Sequence, residues 1–250
     1  MEKQSVVEEI EIQNKIALLY DEKRYHSLHS LIYHRWWIEK MVSTIEEKEG
    51  LILDNGCGVG ISAKFIPELT SRLIGIDISK NMILTAKRKI PLSVLGDSHF
   101  LPFADSVFAA VISRSLLHHM QDPLIGVKEM VRILKPRGEI VLSETLSTPL
   151  SKPGRFFLKK FSGRFSKLHK NFSKDYLLNL LEPFFVIETI LPFGFIAYPL
   201  MGFPDIIDFS KLIPLPHKCC EFLIQIDEKI TRSKIGQLLA WGIIVKGRKK

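Results

Sequence analysis

Cysteine is scarce in this chain, with Cys57, Cys219 and Cys220 the only three among 250 residues. That number and spacing exclude a disulfide framework and match no metal site, so a reducing, cytoplasmic setting and no metal are expected. Cys57 has no histidine near it in sequence to activate a thiolate, and it reads as a small residue that fits its loop. Cys219 and Cys220 read as buried small residues. Long apolar runs are also missing. The most apolar stretch, 192–210, is interrupted by Pro192, Pro199 and Pro204, whereas a membrane span needs about 20 uninterrupted apolar residues. The segment Met1 to Glu11 is acidic and polar, without the basic-then-apolar order of a secretion signal. Overall composition, 46% hydrophobic and 25% charged, is that of an ordinary globular protein.

Acid is missing from one place in particular. Lys152, Arg155, Lys159, Lys160, Arg164, Lys167, Lys170 and Lys174 fall within 151–174 without a single Asp or Glu. These eight account for the whole net charge of +8. Phe156, Phe157, Phe161, Phe165 and Phe172 are interleaved with them. Such a segment suits an anionic lipid surface, single-stranded nucleic acid or an anionic substrate. It equally suits a solvated loop whose phenylalanines pack on the core.

What the chain does have is a glycine loop. Leu51-Ile52-Leu53-Asp54-Asn55-Gly56-Cys57-Gly58-Val59-Gly60 reads as a buried strand, an acid at its end and a tight turn that opens a helix. Three glycines at alternate positions allow positive φ and close approach of backbone to a ligand. A dinucleotide fingerprint would place its third glycine at the sixth position, where Ile61 stands. That disfavours a dehydrogenase.

The run Asp54-x-Gly56-x-Gly58-x-Gly60 resembles the first motif of the class I S-adenosylmethionine-dependent methyltransferases. An acid at the strand end suits the cationic sulfonium of that cofactor better than a pyrophosphate. Three further stretches resemble the family in order. Gly75-Ile76-Asp77-Ile78-Ser79 lies where, by the resemblance, Asp77 accepts both ribose hydroxyls and Ile78 lies against adenine. Gly96-Asp97-Ser98 lies where Asp97 meets the adenine amine and Ser98 sits beside the ring. Met130 to Leu142 resembles the last common motif. The backbone at Ser113 and Arg114 then reaches the methionine end of the cofactor, and the Leu117-His118-His119-Met120 run follows strand four. His119 is a weak candidate for the proton acceptor, His118 a weaker one, and both have a structural reading. The family commonly has an acid where Ala109 stands. The resemblance covers about residues 45–145.

The implied fold is α/β, a doubly wound, seven-stranded, mostly parallel sheet of Rossmann-like methyltransferase type with inserted C-terminal lid elements. One domain, 1–250, is expected, with a helical cap (1–49), a cofactor core (50–145) and a substrate-side half (146–250) carrying insertions at 151–174 and 192–236. Tyr20, Tyr25 and Trp36 or Trp37 of the cap either touch ligand or anchor the cap. Ile61 to Leu69 is expected as a helix shortened by Pro67, and Ser79, Asp122 and Ser173 as helix caps. Phe222, Leu223, Ile226, Ile230 and Ile235 suggest an amphipathic helix.

The resemblance implies transfer of a methyl group from S-adenosylmethionine to an oxygen, nitrogen or carbon nucleophile of a small, apolar molecule, as in the quinone-methylase branch. The cofactor-binding residues expected are Asp54, Gly56, Gly58, Asp77, Ile78, Asp97, Ser98 and Arg114. Peripheral membrane contact through 151–174 and 192–210 is a further expectation. Two alternatives stay open, a nucleic-acid methyltransferase suggested by the basic segment and a non-catalytic adenosylmethionine-binding partner. No appended RNA-binding module supports the first.

Overall fold

The computed structural model describes residues 2–47, 49–148, 172–202, 204 and 208–250. Positions 151–171 of the basic segment lie outside them. Two helices open the chain, α1 (Glu2–Arg24) and α2 (Leu28–Val42). Ser27 caps α2 by accepting the Ser30 N–H. The face of α2 turned inward is His29, Ser30, Tyr33, His34, Trp37, Ile38 and Met41, while Leu28 is exposed. The inner face mixes apolar with hydrogen-bonding side chains, because this helix lies over polar groups at the carboxyl edge of the sheet.

Strands and helices then alternate: β1 (Leu51–Asn55), α3 (Ile61–Phe65), β2 (Leu73–Asp77), α4 (Lys80–Ala86), β3 (Ser93–Leu95), β4 (Phe108–Arg114), α5 (Pro123–Ile133) and β5 (Leu134–Thr145). After the undescribed stretch come α6 (Lys174–Leu181), β6 (Phe185–Phe193), α7 (Ala197–Met201), α8 (His217–Thr231), α9 (Lys234–Leu239) and β7 (Gly242–Lys249). Ser79, Asp122 and Ser173 cap α4, α5 and α6, as expected. Pro67 ends α3 early, and Pro67–Arg72 becomes a 3-10 turn. β5 begins at Leu134, which pairs with Phe108, and a bulge over 135–138, with Arg137 at φ 61°, precedes the regular ladder from Glu139. Pro192 belongs to β6, and the last strand starts at Gly242.

The sheet order is β3-β2-β1-β4-β5-β7-β6. β3, β2, β1, β4 and β5 are parallel, and β7 runs antiparallel between β5 and β6. This bears out the doubly wound, seven-stranded expectation. The chain direction across the sheet reverses between β1 and β4, so their carboxyl ends open a crevice. One face of the sheet packs Ile52, Ala110, Ile112 and Val141 against α2, α7 and α8, and the other packs Leu53, Val111, Ile140 and Leu142 against α5 and α6. The helix α8 buries Cys220, Ile224, Asp227 and Thr231. Phe222 and Ile235 of the expected stripe are exposed, as is Cys219. Asp227 decides that rotation: its carboxylate accepts the N–H groups of Phe195, Ile196 and Ala197 at 2.7–3.0 Å and so caps α7.

Candidate functional site

The glycine loop is built from β2 as much as from β1. Ile76 O accepts both Gly56 N–H and Cys57 N–H at 2.9 Å. The Asp77 carboxylate accepts Gly58 N–H at 2.9 Å through Oδ2 and Ser79 N–H at 2.9 Å through Oδ1. Gly56, Gly58 and Gly60 all have positive φ, at 75°, 53° and 70°. Their surroundings differ. A Cβ at Gly56 would meet Leu116 and one at Gly60 would meet Ala86, whereas Gly58 faces open space. Gly58 is therefore the point where a ligand can lie on the backbone. The Cys57 thiol packs on Gly75 and is pushed up by burial, which leaves it unreactive.

Four acids and one cation meet this loop. Asp54 is buried, and desolvation raises its carboxyl from 3.8 to about 6 despite a bond from Ser62 and the nearby Arg114. Asp77, partly exposed, is also raised by burial, against the pull of its two backbone bonds. Asp97 follows β3 next to Asp77, since Gly96 N–H donates to Asp77 O at 3.0 Å. Partial burial opposes ionisation of Asp97, but His99, bonded at 2.7 Å, more than offsets it and lowers the carboxyl. Glu9 of α1 is the fourth, 3.0 Å from His119 Nδ1 and close enough to raise Asp77. Three buried side-chain atoms without a hydrogen-bond partner, Asp54 Oδ2, Asn55 Nδ2 and Ser113 Oγ, lie at the carboxyl ends of β1 and β4. Orphaned buried polar atoms carry a desolvation cost that a polar ligand would offset.

The helical cap lies across this edge. Asn14 Oδ1 accepts the Ser79 hydroxyl at 2.7 Å and the Asn81 N–H at 3.3 Å, and Asn81 Nδ2 donates back to Asn14 O at 3.1 Å. Lys89 of the loop after α4 pairs with Asp21 at 2.8 Å. From α2, Trp37 Nε1 donates to Ser143 Oγ of β5 at 2.8 Å. Arg114 donates to Tyr25 Oη and to His34 Nδ1, both at 3.1 Å, with its guanidinium 5.1 Å from the Trp37 ring centre. Tyr25 and Trp37 thus anchor the cap and border the crevice at once.

The structure brings Asp54, Gly56, Gly58, Asp77, Asp97 and Arg114 to one edge, with Ile78 half-buried beside them. The Ser98 hydroxyl is buried and donates to Asn55 Oδ1 at 2.7 Å, so its side chain ties two loops together. His118 is buried, with Nδ1 2.6 Å from Glu144 Oε2, while Glu144 Oε1 accepts the Leu117 N–H at 2.7 Å. That is a clamp between β5 and the turn after β4. Glu9, Asn14, His34 and Glu144 were not singled out from the sequence. All four come from elements remote in the chain, and no spacing rule links them to the loop.

Residues 53–142 match the family model described as a methyltransferase domain. Over these residues the chain is similar to a methyltransferase domain, and the sheet order and the glycine loop agree with that likeness. A demethylmenaquinone methyltransferase of Staphylococcus aureus is 33% identical to the chain over 135 residues, covering 49% of this chain and 56% of the relative. The chain thus spans about half the length of the curated relatives it matches. Among solved structures, a Thermotoga maritima S-adenosylmethionine-dependent methyltransferase superposes with a TM-score of 0.63 at 17% identity, over 97% of this chain and 100% of that one. A Streptomyces coelicolor geranyl diphosphate C-methyltransferase, solved with Mg2+, geranyl diphosphate and S-adenosylhomocysteine, superposes with a TM-score of 0.60 at 15% identity, over 86% and 77%. These two likenesses bear on the fold, and they extend the methyltransferase architecture through the C-terminal half.

Proposed function

We propose that the chain is an S-adenosylmethionine-dependent methyltransferase acting on an oxygen, nitrogen or carbon nucleophile of a small, lipophilic molecule, and that 1–250 works as one domain. The observation that carries this is the crevice at Gly58: open space over a positive-φ glycine, rimmed by Asp54, Asp77 and Asp97. Such a rim suits an uncharged nucleoside with a cationic tail and repels a pyrophosphate. Both Asp77 oxygens hold one backbone N–H each and keep a second lone pair for the ribose hydroxyls. Asp97 stands beside Asp77 for the adenine amine, and Asp54 Oδ2 is open to a positively charged group. The cofactor, when bound, supplies an activated methyl and its own leaving group. The protein's part is alignment and exclusion of water, which the cap of α1 and α2 serves. His119, oriented by Glu9, is the candidate to take a proton from an acceptor that carries one.

A lipophilic acceptor is supported by the demethylmenaquinone and geranyl diphosphate named for the relative and the structural neighbour. It is supported also by exposed apolar side chains on the C-terminal half, Leu212, Ile213 and Phe222. These side chains favour peripheral contact with a lipid surface, and no helix of the described residues is long and apolar enough to cross a membrane. Calorimetric titration with S-adenosylmethionine and with NAD, followed by mass spectrometry of lipid extracts incubated with labelled cofactor, tests the reading. Binding of the first ligand and a labelled apolar product are expected. Label confined to nucleic acid, or tight binding of NAD, would overturn it.

A further inference from the structure

Arg114 is a charge without a counterion in contact. It lies at the carboxyl end of β4, partly exposed, and forms no ion pair among the described residues. Its two described hydrogen bonds go to neutral acceptors. Burial, and Arg114 itself, hold His34 well below its ordinary value, so its Nδ1 receives the proton of the guanidinium and carries none. Tyr25 Oη accepts the other bond. A guanidinium has five donors in a planar fork, and no further acceptor among the described residues takes the rest. The Trp37 ring covers one face of the group and fixes its plane. Arg24, near enough to be felt, adds positive charge.

The register says where this fork stands. Asp54 pairs with Ile112 and Arg114 with Ser143, so Asp54, Arg114 and Ser143 share the face of the sheet beneath α2. Trp37, which covers Arg114, is bonded to Ser143. Arg114 therefore stands between the acid of β1 and the end of β5, within Coulomb range of Asp54 but not in contact with it. A preorganised, planar, partly desolvated cation with spare donors beside a ligand crevice is the arrangement that binds a carboxylate or similar oxyanion in two-point fashion.

We propose that Arg114 is the oxyanion-binding residue of this crevice, a role resting on the crevice being an adenosyl-ligand site. Two sources can supply the oxyanion. One is the carboxylate of the cofactor's amino-acid arm, whose ammonium would then face Asp54. The other is an ionised oxygen of the methyl acceptor, which would make the enzyme selective for acidic acceptors. Tyr25, His34 and Trp37 are positioning residues that hold the fork.

The test is calorimetric titration of wild type, Arg114→Gln and Arg114→Lys with S-adenosylhomocysteine and with its decarboxylated analogue. The S-adenosylhomocysteine-saturated protein is then titrated with benzoate and with neutral benzamide. If the cofactor is the source, wild type prefers the carboxylated ligand by about tenfold or more, and Arg114→Gln abolishes that preference. If the acceptor is the source, the two adenosyl ligands bind alike, and wild type takes benzoate over benzamide where Arg114→Gln does not. A preference that survives in Arg114→Gln, or no preference of either kind, overturns the assignment. Should Arg114→Gln fail to fold, Arg114→Lys decides, since it keeps the charge and loses the fork: an undiminished preference there also overturns it. Failure of wild type to bind any adenosyl ligand sinks the functional reading instead, and benzoate against benzamide on the unliganded protein then tests Arg114 alone.

Discussion

At the amino-terminal end of β5, Glu139 is fully buried and Lys246 of β7 nearly so, yet each is answered. Glu139 accepts the N–H groups of Glu46 and Glu47 at 2.9 and 3.0 Å and pairs with Lys246 at 3.1 Å and Arg248 at 2.9 Å. Lys246 also meets Glu46 at 2.6 Å and Glu188 at 2.8 Å. At the other end of the strands, Asp54 keeps an oxygen unpartnered among the described residues, and Arg114 has no carboxylate of the described residues in contact. The two ends hold similar residue types in similar burial, and only the first closes its own account of charge. Glu46, Glu139 and Glu188 lie close enough to suggest a cation, but two protein cations already stand among them. A buried charge that the protein itself neutralises is architecture. One that it leaves open waits for a ligand.

The contrast breaks most visibly at Glu139. Replacing it by Ala strands part of the Lys246 and Arg248 charge and frees two backbone N–H groups, and about 3 kcal/mol or more of stability should be lost. Chemical denaturation measures it, and the affinity of the folded fraction for S-adenosylhomocysteine should be unchanged. At the ligand end the weight shifts. Asp77→Ala should weaken S-adenosylhomocysteine by about 1.5–3 kcal/mol, the range for hydrogen bonds to a charged group. It should also cost stability, because the carboxylate tethers Gly58 and Ser79. Unchanged affinity in calorimetry would remove Asp77 from the site.

Asp54 sharpens the comparison through pH. Its folded value, about 6, lies above the ordinary 3.8, so the folded state binds the proton more tightly than the unfolded one. The stability due to this group is then greatest at low pH and falls as pH rises from about 4 to about 6, with no further change above. Asp54→Asn should accordingly be less stable than wild type, relative to neutral pH, when both are compared near pH 4. Ligand binding should run the other way. A cationic arm needs the ionised acid, so affinity should drop about tenfold between pH 7 and pH 5 in wild type and stay flat in Asp54→Asn. Parallel pH profiles in the two proteins would show that Asp54 does not meet the ligand.

Much of this was legible in the sequence because the residues concerned are local. The glycine loop, the acids at the ends of β1 and β2, the caps at Ser79, Asp122 and Ser173, and the strand order implied by the resemblance all lie within short windows where spacing translates directly into geometry. What was not legible depends on distant pairing. The face of α2 is set by Ser143 and Arg114, that of α8 by the α7 amides it caps, and the place of Ser98 by Asn55. The pairing of Glu9 with His119 joins residues 110 apart in the chain. Hydrophobic periodicity carries no information about such bonds, and it misplaced Phe222 where Asp227 holds the inner face.

The smallest effect expected concerns how the cap is held. Asn14 is the polar staple between α1 and the start of α4, accepting from Ser79 and Asn81 and accepting again through its backbone oxygen. Ser79 Oγ also accepts the Met82 N–H, so the staple fixes the same hydroxyl that caps α4, two residues from Asp77. Replacing Asn14 by Ala removes the side-chain acceptor, leaves the Asn81–backbone bond and should cost about 1 kcal/mol. The loss should appear as faster amide hydrogen exchange in α1, with β1, β4 and β5 unaffected, because α1 has its own helical bonds and can loosen without opening the sheet. If α1 covers bound ligand, the same variant should release S-adenosylhomocysteine faster in stopped-flow measurements. Faster exchange with unaltered release would mean that α1 rests on the site without enclosing it.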